Sequence, residues 1–196
     1  MPSSDEPAGF PVGGETVMVL GALGAGLVCF LLFLATRRRL GVIQAAATAG
    51  LLWSLVVIAI VTLIPAGGPP GIVAAEGRQT TCSFDLGGPA PDGFWIFESG
   101  QRLLNTALFV PSGALLVLFL TRWRSGWVFV PFGLALLAGY SAAIELVQLE
   151  LARINRACDV TDIVDNVTGA VVGVGIGLLL SLVLLPWRNR ARSRRG

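Results

Sequence analysis

Eight polar residues in the second half of the chain have side chains suited to binding a charged head group or acting on it. They are Arg102, Asn105, Glu145, Gln148, Arg156, Asp159, Asp162 and Asn166. Arginine pairs with phosphate or carboxylate groups. The carboxylates and amides supply the oxygen ligands that Mg²⁺, Ca²⁺ and Mn²⁺ prefer, with Glu145, Asp159 and Asp162 as the metal candidates. The chain has no histidine, so zinc ligation and general-base catalysis by histidine are excluded.

The chain that positions these residues is strongly apolar. Hydrophobic residues make up 54% and charged residues 13%, and the mean hydropathy is +0.77. Soluble domains carry about 25% charged residues. Five apolar runs, roughly 16–36, 42–64, 103–121, 127–149 and 160–185, are long enough to cross a bilayer as helices. We predict an all-α integral membrane protein, a bundle of about five transmembrane helices; the alternative is four spans with one re-entrant run.

These runs divide the chain into five predicted regions. They are a disordered acidic tail (1–15), a transmembrane hairpin (16–64), an extracellular loop rich in Gly and Pro (65–101), a three-helix region (102–185) and a basic cytoplasmic tail (186–196).

The arginines predict the orientation of this bundle. All fourteen basic residues are arginine, and a five-helix arrangement places ten on one side of the membrane and four on the other. The four are Arg78, Arg102, Arg153 and Arg156. Because basic residues favour the cytoplasmic side, we expect the N-terminus outside and the C-terminus in the cytoplasm.

With this topology, the last three helices bring their polar residues to one level near the outer interface. Helical spacing places Ser141, Glu145 and Gln148 on one face of the fourth helix. It likewise places Asp159, Asp162 and Asn166 on one face of the fifth. Asp165 is expected to point away from that face and is assigned no role in the site.

Small residues predict how closely these helices pack. Gly169, Gly173 and Gly177 continue the polar face of the fifth helix as a repeated G-x-x-x-G, which allows a neighbouring helix to approach closely. Pro111 can break or kink the third helix near its middle and so free backbone carbonyls that need new partners.

Two questions stay open at this level. The polar residues either join the helices by ion pairs and hydrogen bonds, or form an outward-facing pocket within the membrane. Cys82 and Cys158 share the predicted outer side, so they either form a disulfide or stay unpaired.

The polar segments also resemble a known family. The resemblance rests on three pieces, Asn105-Thr-Ala-Leu-Phe109-Val-Pro111-Ser-Gly113, Ser141-Ala-Ala-Ile-Glu145-Leu-Val-Gln148 and Arg156-Ala-Cys-Asp159-Val-Thr-Asp162-Ile-Val-Asp-Asn166-Val-Thr-Gly169. In this order and spacing, they are similar to the VanZ-like family of membrane proteins. The family is named for a protein linked to resistance against teicoplanin, a lipid-bearing glycopeptide antibiotic. The resemblance implies a multi-pass protein of the bacterial cytoplasmic membrane.

Three classes of function follow. The first is a cell-envelope protein whose outer pocket binds a membrane lipid, a lipid-linked wall precursor or a lipoglycopeptide. The second is an intramembrane enzyme acting on phospholipid or polyprenyl-phosphate head groups with a divalent metal, for which Glu145 and Asp162 are the catalytic candidates. The third is a transporter or a structural partner, including a homo-oligomer formed through the glycine face. No nucleic-acid partner is expected. We favour the first class.

Overall fold

The computed structural model describes residues 14–64, 80–82, 100–123, 125–150 and 158–184. The regular elements in these ranges are a 3₁₀ turn, Gly126–Phe129, and five α-helices. The helices are α1 (Glu15–Leu40), α2 (Val42–Leu63), α3 (Gly100–Leu120), α4 (Val130–Glu150) and α5 (Val160–Leu184). All five are long and apolar enough to cross a membrane, which confirms the predicted all-α fold and helix number. The predicted basic tail and most of the predicted loop and acidic tail lie outside the described residues.

Large apolar side chains cover the surface of the bundle. Val183 is 78% exposed and Leu136 is 75% exposed, and α1 has no buried residue at all. Exposure of such an apolar surface to water would be unfavourable, whereas lipid chains solvate it. The exposed apolar surface therefore fits a membrane-spanning bundle.

A one-residue turn joins α1 to α2 as the predicted hairpin. Gly41 has φ +84°, a left-handed conformation that glycine adopts without steric cost, and its N–H donates to the carbonyl of Arg37. α1 packs chiefly along α2, where Trp53 Nε1 donates to the carbonyl of Ala22 over 3.0 Å.

The tightest helix contact in the described bundle is between α3 and α5. A β-carbon on Gly169 would overlap the carbonyl of Thr106, and one on Gly173 would overlap the carbonyl of Val110. A β-carbon on Gly113 of α3 would likewise overlap the carbonyl of Ala170. The glycine series of the fifth helix therefore lies against the backbone of α3, as predicted.

Apolar and polar contacts hold the other helices around this pair. Ile58, Phe109, Leu137 and other buried side chains form a shared core. Ser112 Oγ donates to Ser54 Oγ over 3.0 Å between α3 and α2. Short hydrogen bonds of this kind are common between membrane helices because few other polar partners are present.

The third helix runs unbroken through Pro111. Proline lacks an N–H and frees one backbone carbonyl. The close packing of α3 on α5 on both sides of this point holds the helix together.

The direction of the chain defines one end of the bundle, which we call the polar end. There α2 and α4 finish while α3 and α5 begin. Side-chain contacts fix this arrangement, since the first turn of α3 meets the first turns of α5 and the last turn of α4 meets the end of α2.

Gly173→Ala is expected to destabilise the bundle by about 1–3 kcal/mol, because the new methyl group forces α3 and α5 apart. Thermal or SDS unfolding of the detergent-solubilised protein measures this change. Gly175→Ala is the matched control, because a β-carbon there has nothing within 4 Å. Equal effects of the two substitutions would contradict the close approach at Gly173.

Candidate functional site

An ion pair joins the start of α3 to α5. Arg102 Nε donates to Asp165 Oδ2 and Arg102 Nη2 donates to Asp165 Oδ1, each over 2.9 Å. The two side chains are 13% and 2% exposed. Two parallel charge-assisted hydrogen bonds of this kind fix the orientation of both groups.

Asp165 was expected to point away from the site, and that prediction is wrong. It lies about 60° around α5 from Asp162, on the flank of the glycine face. Because α3 approaches α5 so closely, the long Arg102 side chain reaches this flank.

Asn105 and Asp162 form a second contact between the same helices. Asn105 Nδ2 donates to Asp162 Oδ1 over 2.7 Å. Asn105 lies just under one turn after Arg102, and Asp162 just under one turn before Asp165. Both side chains are half-buried, so this contact forms the accessible edge of the site.

Asp159, the residue directly before α5, connects that helix to α4. Asp159 Oδ1 accepts the N–H of Thr161 over 2.9 Å, an N-cap contact that satisfies a free donor of the first turn. The backbone N–H of Asp159 donates to Glu145 Oε2 over 2.9 Å. Glu145 is 2% exposed, so this carboxylate is held inside the bundle.

A disulfide anchors the same segment. Cys158, which is fully buried, is bonded to Cys82. Of the two alternatives for these cysteines, the structure therefore has the disulfide. The bond ties the 80–82 segment to the residue directly before Asp159.

Amide groups form a deeper layer between the helices. Asn166 Nδ2 donates to Ser141 Oγ over 2.9 Å, and Gln148 Nε2 donates to the carbonyl of Thr62 over 2.9 Å. Three buried oxygen atoms at this end have no hydrogen-bond partner among the described residues. They are Thr106 Oγ1, Gln148 Oε1 and Asn166 Oδ1.

Of the eight residues singled out from the sequence, seven lie together at the polar end, and Arg156 lies outside the described residues. Sequence reasoning missed Asp165 and Thr106. The single arginine at the start of α3 was a signal for a buried acidic partner, whereas nothing in the sequence marks Thr106. Within the described ranges, no three residues among His, Cys, Asp and Glu form a group that could hold a metal ion.

Fold and site together define a multi-pass α-helical membrane protein with a polar cluster at one end of its bundle. The chain belongs to the VanZ/LLP1 family, whose match covers residues 27–182. This match confirms the resemblance and extends it to the N-terminal hairpin, beyond the motifs that carried it. Comparison with curated proteins and with solved structures gives no match.

Asp165→Asn is expected to destabilise the protein by about 1.5–3 kcal/mol, because it replaces the carboxylate that accepts two charge-assisted hydrogen bonds from Arg102. SDS or thermal unfolding measures the loss. The double variant Arg102→Met with Asp165→Leu removes both charges and should recover most of it. A double variant as unstable as the single one would contradict this account.

Cys82→Ser is expected to abolish the mobility difference between reduced and non-reduced protein on gels. It should also lower the stability by about 2–4 kcal/mol, the usual effect of losing a disulfide. Cys29→Ser is the matched control, since Cys29 is a free cysteine in α1. An unchanged mobility in Cys82→Ser would contradict the bond.

Proposed function

We propose that this chain is a protein of the bacterial cytoplasmic membrane that binds an amphiphile at its outer face. The amphiphile is a membrane lipid, a lipid-linked wall precursor or a lipoglycopeptide, and its binding gives protection of the teicoplanin type. Membership of the VanZ/LLP1 family and the polar cluster support this proposal.

The unequal distribution of arginine supports the orientation. Three arginines end α1, and further arginines follow α3 and α5 in the sequence. Because basic residues favour the cytoplasmic side, we place the polar end outside, with the N-terminus outside and the C-terminus in the cytoplasm.

The observation that carries the proposal is an apolar groove beside the polar cluster. The groove is open to the surrounding lipid and has a volume of about 400 Å³. It is lined by Leu55, Val56, Ala59, Ile60, Leu63, Ile64 and Tyr140. These residues belong to the half of α2 that leads to the polar end and to the facing part of α4.

Two hydrogen bonds locate the groove relative to the polar side chains. Tyr140 OH donates to the carbonyl of Leu55 over 2.7 Å at its inner end. Gln148 Nε2 donates to the carbonyl of Thr62, the residue next to Leu63 at its outer end. A hydrocarbon chain in the groove would therefore place its head group at the cluster.

A hydrocarbon chain is the occupant that we assign to this groove. The groove is lined almost entirely by apolar side chains and lies on transmembrane helices, where the solvent is lipid. Its position supports the proposal, because the groove follows α2 as far as Leu63 and the carbonyl of the neighbouring Thr62 accepts from Gln148 of the polar cluster.

Expression in a sensitive Gram-positive host is expected to lower susceptibility to teicoplanin and leave susceptibility to vancomycin unchanged. Ala59→Phe, which fills the groove, and Glu145→Gln, which removes a buried charge, should each abolish the effect at equal membrane levels. The matched controls are Ala143→Phe and Glu150→Gln, which change exposed positions of α4 and should retain it. Protection that survives both site variants would contradict the proposed binding site, and an absence of protection by wild type would contradict the resistance role.

A further inference from the structure

We propose that the head group bound at the polar end is recognised through a primary ammonium group, with the buried amide and carboxylate oxygens as its acceptors. This inference rests on the proposed function and names the chemical class of its ligand.

The unpartnered amide atoms at the polar end are acceptors. Asn166 is 2% exposed and Gln148 is 7% exposed, and the side-chain oxygen of each lacks a partner among the described residues. The Gln148 amide is fixed in orientation, because its nitrogen faces the Thr62 carbonyl and a carbonyl accepts only from a donor. Its oxygen must therefore point the other way.

These oxygens belong to residues that lie within about one helical turn of the level of Glu145. Asn166 reaches across to Ser141, one helical turn before Glu145 on α4. Gln148 lies just under one turn after Glu145 on the same face. Glu145 itself accepts the backbone N–H of Asp159. Along α4, acceptors therefore lie at three successive levels towards the polar end. They belong to Asn166, Glu145 and Gln148.

The formal charges at the polar end favour a cation. Within the described residues, Asp159, Asp162 and Asp165 lie near Arg102, and Glu145 lies near Asp159 and Asp162. Both oxygens of the Asp165 carboxylate accept hydrogen bonds from Arg102, so the charges of this pair cancel. The remaining carboxylates attract positive charge and repel phosphate.

A primary ammonium group can donate hydrogen bonds to these oxygen acceptors and can also balance the negative charge of the carboxylates. It carries one positive charge and three N–H donors, which match several separated oxygen acceptors. A quaternary ammonium has the same charge and no donor, so a comparison of the two isolates the hydrogen bonds. A metal cation uses the same oxygen ligands and therefore needs its own measurement.

The test measures binding of three lipids to the purified protein, with intrinsic tryptophan fluorescence or native mass spectrometry as the readout. Phosphatidylethanolamine, phosphatidylcholine and phosphatidylglycerol with identical acyl chains share the phosphate and differ in the group attached to it. We expect phosphatidylethanolamine to bind about tenfold more tightly than phosphatidylcholine, the usual effect of hydrogen bonds to charged groups. Phosphatidylglycerol should bind no better than phosphatidylcholine.

Failure of this inference and failure of the proposed function give different results. Equal binding of the three lipids, blocked by Ala59→Phe, would overturn the ammonium assignment and leave the groove as a lipid site. Absence of saturable binding by all three would overturn both. Stabilisation by Mg²⁺ or Ca²⁺ alone that depends on Glu145, without a preference for phosphatidylethanolamine, would overturn the assignment in favour of a metal cation.

Variants of the amide acceptors complete the test. Gln148→Met is expected to reduce the preference for phosphatidylethanolamine by roughly tenfold. Gln44→Met is the matched control, since Gln44 is also buried, donates to a carbonyl of another helix and has an unpartnered oxygen, at the opposite end of the bundle. Loss of the preference in both variants would overturn the assignment.

Asn166 provides a second variant that keeps an acceptor. Asn166→Asp retains the oxygen and adds a negative charge, so the preference for phosphatidylethanolamine should persist or increase, while Asn166→Leu should remove it. Helix content by circular dichroism and the Cys82–Cys158 bond on gels verify folding in each variant. Loss of the preference in a folded Asn166→Asp protein would overturn the assignment.

Discussion

Backbone contacts between α3 and α5 leave no room for a β-carbon at Gly113, Gly169 or Gly173. In lipid, helix association depends on close van der Waals packing and interhelical hydrogen bonds, since apolar burial gives little advantage over contact with lipid chains. This packing sets the height and rotation of the first turns of both helices. The contact of Asn105 with Asp162, and that of Arg102 with Asp165, follow from this packing.

The same contacts explain why carboxylates are tolerated at this level of a membrane bundle. An ionised group in a bilayer is costly unless it faces the protein interior and has a partner. Asp165 has a guanidinium, Asp162 an amide, and Glu145 a backbone N–H. Of the two alternatives that the sequence left open, these contacts show the joining of helices. The pocket is part of our proposal, in which the unpartnered amide oxygens of Gln148 and Asn166 are the acceptors for a ligand.

The sequence predicted those features that depend on composition and periodicity. Helix number followed from the length of apolar runs, and the tight face of α5 followed from the spacing of Gly169, Gly173 and Gly177. The sequence did not predict the partner of Arg102. Which group a long side chain can reach depends on the distance between helices, and periodicity gives no information about that distance. Nor did the sequence decide whether Pro111 breaks α3, since tertiary packing can override a local preference. The apolar groove involves α2 and α4, which are remote in sequence, and no local pattern marks it.

The disulfide has a consequence for the order in which the protein matures. Cys82 precedes α3 in the chain and Cys158 follows α4, so translation completes both intervening helices before the second thiol emerges. The bond can close only after these helices have been inserted side by side with their ends at the same surface. Because Cys158 directly precedes the amide that holds Glu145, the final arrangement of the buried carboxylate is a late event in biogenesis. Incorrectly inserted chains would lack this covalent closure, which distinguishes them chemically from mature protein.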